Sequence, residues 1–158
     1  KKTMVFSIFC FIAGCFVFNT VSAQIEWTPE QKAVWKTETT MDDLFMKKDY
    51  QDAWAYIDDS YLGWRNDLAV PRTKDTRIAL TKYLISQGGK VDFNEIAPVA
   101  IWVNGNYAYA DFYYNEIWEN KEGVKTRDHG RWMDVFMKKG DKWMLVGDHG
   151  GSDIAPVK

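Results

Sequence analysis

With 158 residues, 46% of them hydrophobic, the chain has enough apolar material for one modest domain with its own core. Its formal charge is −2 and it has no basic cluster, which argues against nucleic acid and anionic membranes as partners. Both cysteines, Cys10 and Cys15, precede residue 24, so the rest of the chain offers no disulfide, zinc–thiolate site or cysteine nucleophile.

Lys1 and Lys2 make a basic start, Met4 to Phe18 is an almost unbroken apolar run, and Val21-Ser22-Ala23 closes it with small residues. That is the layout of a secretory signal peptide over residues 1–23, cleaved after Ala23. It predicts an exported domain, periplasmic or secreted, over residues 24–158. The run is shorter than the roughly 20 residues a spanning helix needs. Ile12-Ala13-Gly14-Cys15 resembles a bacterial lipobox, so the alternative is a lipoprotein anchored at Cys15. Phe16-Val17-Phe18 carries the apolar run past that cysteine and speaks against it. Without Lys1 and Lys2 the charge falls to about −4.

Thr28-Pro29-Glu30-Gln31 reads as a helix start, with Thr28 as cap, proline at the first helical position and Gln31 closing a capping box. Val34, Met41 and Phe45 recur at helical spacing to about Lys48, with Ala33 and Leu44 widening the stripe. Asp49 can cap a second helix, in which Tyr50, Ala53, Trp54, Ile57 and Tyr61 share one face. Residues 61–71 read as irregular or a short strand. A third helix starts at Thr73 or Asp75, runs through Ile78, Thr81, Leu84 and Ile85, and stops at Gly88-Gly89. From Lys90 the grammar changes to strands: Val91 to Val103, Tyr107 to Glu119, Val124 to Lys138 and Lys142 to Gly150. Hairpin signals at Asn104-Gly105, Asn120-Lys121-Glu122-Gly123 and Lys138-Lys139-Gly140-Asp141 separate them. Three helices followed by an antiparallel meander predict a single α+β domain.

Centring the last hairpin between Lys139 and Gly140 pairs Arg131 with Asp148, Trp132 with Gly147, Gly130 with His149 and Asp134 with Leu145. Centring the previous one between Lys121 and Glu122 pairs Glu116 with Arg127, Tyr114 with His129, Tyr113 with Gly130 and Asp111 with Trp132. Because strand side chains alternate, this register gives two faces. One, with Phe112, Tyr114, Glu116, His129, Arg131 and Asp148, reads as a solvated or subunit-facing surface. The other, with Tyr109, Asp111, Tyr113, Trp132, Asp134 and His149, reads as a pocket floor in which Gly130 and Gly147 leave space. A bulge in either hairpin would exchange the faces.

Asp111 and Asp134 would then project into an aromatic, partly dry space, where burial raises a carboxyl pKa towards the range of a general acid or base. Histidine titrates near neutrality unaided, which makes His149 their natural assistant. The competing reading is structural, with both aspartates bonded to tyrosine hydroxyls or to the Trp132 indole. Trp35, Trp54, Tyr56, Tyr61 and Trp64 are candidates for the helical wall of the pocket, although aromatics at that spacing more often form core. Two histidines without a His-Glu-x-x-His spacing predict no metal site and no cofactor.

The order of these elements, ending in KKGDKWMLVGDHGG, resembles the nuclear transport factor 2-like superfamily, in its SnoaL-like bacterial branch. The resemblance implies a cone: a curved antiparallel sheet wrapped around three N-terminal helices, with a pocket between them and a homodimer through the sheet. It covers relatives from isomerases, cyclases, dehydratases and hydrolases to non-catalytic binding and assembly domains, so fold does not decide function. The leading expectation is an exported domain binding a small, partly apolar molecule in the cone pocket. The alternatives are a metal-free isomerase, dehydratase or hydrolase using Asp134 or Asp111 with His149, and a homodimeric assembly module.

Overall fold

The computed structural model describes residues 26–153. The expected signal peptide and the lipid-anchor alternative at Cys15 lie outside the described residues. Helix α1 spans Pro29–Met46 and starts where the capping box places it. Thr28 Oγ1 accepts from the Gln31 backbone at 3.2 Å, and Gln31 Oε1 accepts from the Thr28 backbone at 2.9 Å. The same Gln31 side chain donates to the Ile101 carbonyl at 2.6 Å, so the cap also ties the helix to the sheet.

The second helix, α2, is only Tyr50–Trp54, and strand β1 begins at Ile57 and runs to Arg65. This corrects the expectation of one helical face through Tyr61. Ile57 and Tyr61 are four apart, an even spacing that also fits one face of a strand, and both are buried. Tertiary pairing decides between the two: β1 runs parallel to β6 (Lys142–Ser152), and Leu145 N–H donates to the Tyr56 carbonyl at 2.8 Å. After the two-residue strand β2 (Arg72–Thr73) comes α3, Lys74–Ser86, capped by Thr73.

The remaining strands are β3 (Lys90–Asn104), β4 (Tyr107–Glu119) and β5 (Lys125–Lys139). The sheet order is β2-β1-β6-β5-β4-β3, and β1–β6 is its one parallel pair. The helices thus pack on a curved, open, mostly antiparallel sheet, an α+β cone. Its core joins Val34 of α1, Trp54, Ile57, Tyr61 and Ile101 to Phe136, Trp143 and Leu145 of the meander.

Register departs from the expectation at two places, each for a local reason. The β4–β5 connection takes five residues, not four: Asn120 Oδ1 accepts from the backbones of Glu122 at 3.1 Å and Val124 at 2.9 Å, which draws Val124 into the turn. Phe112 therefore faces Trp132, Tyr114 faces Gly130 and Glu116 faces Asp128. In the last hairpin the two-residue loop is Gly140-Asp141, with φ 60° at Gly140, and a bulge leaves Val146 without a partner between Leu145 and Gly147. Beyond the bulge Asp134 faces Asp148 and Met133 faces His149.

These shifts exchange the predicted faces of β4 and of β6 beyond the bulge, while β5 keeps its own. Phe112, Tyr114, Trp132, Asp134 and Asp148 turn inward, while Tyr109, Asp111, Tyr113, Arg131 and His149 lie on the outer side. The Glu116–Arg127 and Arg131–Asp148 rows do not form; Arg127 bonds Asn115 at 2.8 Å and Arg131 bonds Asp153 at 2.9 Å. The glycines mark close backbone approach and not empty space, since a Cβ on Gly130 would lie 2.1 Å from the Gly151 carbonyl oxygen.

Candidate functional site

Between α1, α3 and the inner face of the sheet lies a cavity of about 250 Å³. Met41, Phe45, Trp54 and Phe112 form its apolar walls, and its polar groups come from α1, α3 and five strands.

The deepest polar group is a pair of carboxylic acids. Glu38 reaches in from α1 and Asp134 from β5; they are 6% and 3% exposed. Trp132 Nε1 donates to Asp134 Oδ1 at 2.8 Å, which orients that carboxylate. Burial pushes Asp134 up to about 6, and the nearby Asp148 adds to this, while Glu38's hydrogen bond, Arg77 and Trp132 oppose it. Glu38 is raised well above the usual carboxylate range, first by burial and then by the charge and hydrogen bond of Asp134. Two carboxyls in one dry space favour sharing a proton, with Glu38 the one raised by the pairing and Asp134 the one lowered by it. Glu38 Oε2 has no hydrogen-bond partner.

Beside this pair stands a charged anchor. Asp148 Oδ2 accepts from Tyr61 Oη at 2.5 Å and from Arg77 Nη1 at 2.8 Å, and Arg72 Nη2 lies 3.7 Å away. Arg77 also donates to Tyr61 Oη at 3.1 Å. Burial pushes the Tyr61 hydroxyl up to about 12, so it stays a donor to Asp148. Gly63 makes the contact possible: a Cβ there would sit 2.1 Å from Tyr61 Oη and 2.2 Å from Asp148 Oδ1. Arg77 fastens α3, which has no buried residue of its own, to the sheet.

Of the residues singled out from the sequence, Trp54, Trp132 and Asp134 line the cavity. Tyr61 is buried beside it, bonded to Asp148, and Tyr56 is half-buried at the start of β1. Trp64, Tyr109, Asp111, Tyr113 and His149 stand on the outer face. His149 Nδ1 lies 2.8 Å from the Trp64 carbonyl oxygen, and its ring meets the Trp64 ring edge-on at 6.3 Å. Partial burial raises the Asp111 carboxyl, but the sheet separates it and His149 from Asp134. The expected Asp–His combination is therefore not assembled in one space.

Sequence reasoning missed Glu38, Arg77 and Asp148 as partners. Glu38 carried a signal: it falls four residues after Val34 and three before Met41, a carboxyl inside an apolar stripe. Asp148 carried none, because only the bulge at Val146 turns it inward.

No family model matches this chain, and no curated protein does. Solved structures do. A ketosteroid isomerase-like protein from Erwinia carotovora atroseptica superposes with a TM-score of 0.70 at 12% identity, over 82% of this chain and 100% of that one. An NTF2-like protein from Cytophaga hutchinsonii gives 0.64 at 14% identity, over 79% and 99%. A putative calcium/calmodulin-dependent protein kinase II association domain from Xanthomonas campestris gives 0.60 at 12% identity, over 80% and 92%. At such identities the likeness is one of fold.

Proposed function

We propose that this chain, which has the nuclear transport factor 2-like fold, is an exported binding domain of the SnoaL-like branch that holds a small, partly apolar molecule in the cavity. One observation carries the reading: a cavity of about 250 Å³ lies between the helices and the sheet, walled by Met41, Phe45, Trp54 and Phe112 and lined at its deepest point by the buried acids Glu38 and Asp134. A bound molecule with a polar group would set that group against the two acids. The apolar walls would bury the rest of that molecule. A thermal-shift screen of small molecules on the wild type and on Asp134→Asn tests this. Compounds that raise the wild-type melting temperature should lose much of that effect in the variant; equal shifts in both would place binding elsewhere.

The shared proton between Glu38 and Asp134 favours a second reading, metal-free proton transfer, as in isomerisation, dehydration or hydrolysis. Asp134 would accept a proton from the bound molecule and Glu38 would supply one. His149 has no part in this version, because it stands on the other side of the sheet. Solvent-deuterium exchange into candidate carbonyl compounds, followed by NMR, should be catalysed by the wild type and abolished in Asp134→Asn. For assembly, the exposed Leu62, Trp64, Trp102 and Tyr113 on the outer face suit a homodimer through the sheet. Light scattering at dilute concentration would show a dimer, and a clean monomer would remove that part.

A further inference from the structure

The three helices are not held alike. Val34 and Glu38 of α1 and Ala53 and Trp54 of α2 are buried, whereas none of the 13 residues of α3 is. Helix α1 packs on α2 and on β3, β4 and β6, while α3 rests chiefly on β1 and β2, at one edge of the sheet. Yet α3 joins the two edge strands, β2 and β3, and so crosses the concave side on which the cavity lies. Its 13 residues make about 20 Å of helix, close to the roughly 24 Å width of a 6-stranded sheet.

The fixed points of α3 lie towards its ends. Thr73 caps the start, Arg77 bonds Asp148 at 2.8 Å and Tyr61 at 3.1 Å, and Ile78 packs on the core. At the far end Gly88, with φ 79°, passes so close to the β4–β5 connection that a Cβ on it would lie 2.7 Å from the Lys121 Cβ. Between these points Leu80, Thr81 and Leu84 line the cavity, but the two leucines stay 39% and 40% exposed. The hydroxyls of this stretch turn back on the helix, Thr81 to the Arg77 carbonyl and Ser86 to the Tyr83 carbonyl. Lys82, with Nζ 5.3 Å from the centre of the Trp54 ring, reaches across to α2 from an exposed position. A wall that buries so little opens at low cost, because segments with few buried apolar contacts are released before the core is. We propose that α3 is the gate of the cavity: latched at Arg77 and fixed at Gly88, it opens by release of Leu80 to Ser86, and a bound molecule shuts it by burying Leu80 and Leu84. Binding and the ordering of this stretch are then coupled, each favouring the other. The opening stands on the packing of α3 alone; the closing rests on the binding reading above.

Hydrogen exchange of the chain without added compound, read amide by amide, tests the opening. The fair comparison is between the last two turns of each helix, since any helix frays at its end. Amides from Thr81 to Gln87 should exchange at least about tenfold faster than those from Thr40 to Met46 of α1. Low urea should leave the α3 rates nearly unchanged, because a local opening exposes little surface, while the α1 rates should follow global unfolding. Leu84→Ala should speed exchange in α3 several-fold and leave α1 within about twofold of the wild type. Exchange of Thr81 to Gln87 at the α1 rate and with the α1 urea slope overturns the gate and leaves the binding cavity standing. Equal acceleration of both helices in Leu84→Ala overturns it as well, because α3 would then belong to the common core. A small-molecule screen without a hit removes the binding reading and the closing with it, while the opening is decided by exchange alone.

Discussion

The two faces of the meander use neighbouring residues of the same strands and share almost no chemistry. Tyr113 and His149 are exposed on the outer face, while Tyr114 and Asp148, one residue away in each case, are buried on the inner one. Inside, the most buried acids answer to neighbouring side chains: Asp134 to Glu38, Asp148 to Arg77 and Tyr61. Outside, Arg131 and Asp153 make a pair in water. Position on a strand therefore says less about a residue's role than its parity does, and parity is set by turns and bulges.

The sharpest way to break this comparison is to cut each face at adjacent positions. Asp148 has a side chain with no exposure, and it is the counter-ion for Arg77 and Arg72. Removing it leaves buried guanidinium charge uncompensated, so Asp148→Ala should cost about 3–5 kcal/mol in urea unfolding. His149→Ala, next door and exposed, should cost about 0.5 kcal/mol or less. Similar losses at both positions would mean that the bulge at Val146 does not turn Asp148 inward.

A pH series sharpens the same contrast. Asp134 holds its proton to about pH 6 in the folded chain, against an ordinary value of 3.8. Between those values the folded state binds more protons than the unfolded state, so stability falls as pH rises through the window. From about pH 4 to about pH 7 the wild type should lose roughly 3 kcal/mol more than Asp134→Asn does. Glu38 adds to the difference, since removing the Asp134 charge also relaxes it. Asp111→Asn on the outer face should leave the profile close to wild type. Parallel profiles for the wild type and Asp134→Asn would show that Asp134 is not held in a dry pair.

Much of this architecture was legible because local chemistry dictated it. The Thr28–Gln31 capping box, the ends of β4 and the glycine turns at Gly105 and Gly140 all follow from residues a few positions apart. Register was not local in that sense. It depended on whether Asn120 bonds Val124, and on one unpaired residue at Val146 that the flanking β-branched and apolar residues do not announce. The site suffered more than the fold, because strands survive a one-residue slip while a list of inward side chains is replaced by its complement. Tyr50 to Tyr61 failed for a different reason. Spacings of four satisfy helix and strand alike, and the free edge of β6 took Ile57 and Tyr61. Trp132 and Asp134 lie inward in both registers because the two errors moved β4 and β6 relative to β5, on which both residues sit.

The smallest expected effect is also the finest test of which face is which. Tyr114 Oη donates to Asp128 Oδ2 at 3.1 Å from a largely buried ring, and burial is the main cause that holds its hydroxyl protonated far into the alkaline range. Tyr114→Phe keeps the ring, including its edge-on contact with Trp132 at 5.8 Å, and removes only the hydroxyl. The loss should be about 0.5–1.5 kcal/mol, the net worth of one hydrogen bond. Tyr113→Phe removes a hydroxyl from an exposed ring and should change unfolding free energy by about 0.5 kcal/mol at most. Alkaline difference spectra provide a second readout: deleting Tyr114 should remove a phenol transition seen only as the chain unfolds. The reverse assignment would return the predicted faces to the sheet, and the Glu38–Asp134 cavity would lose its wall.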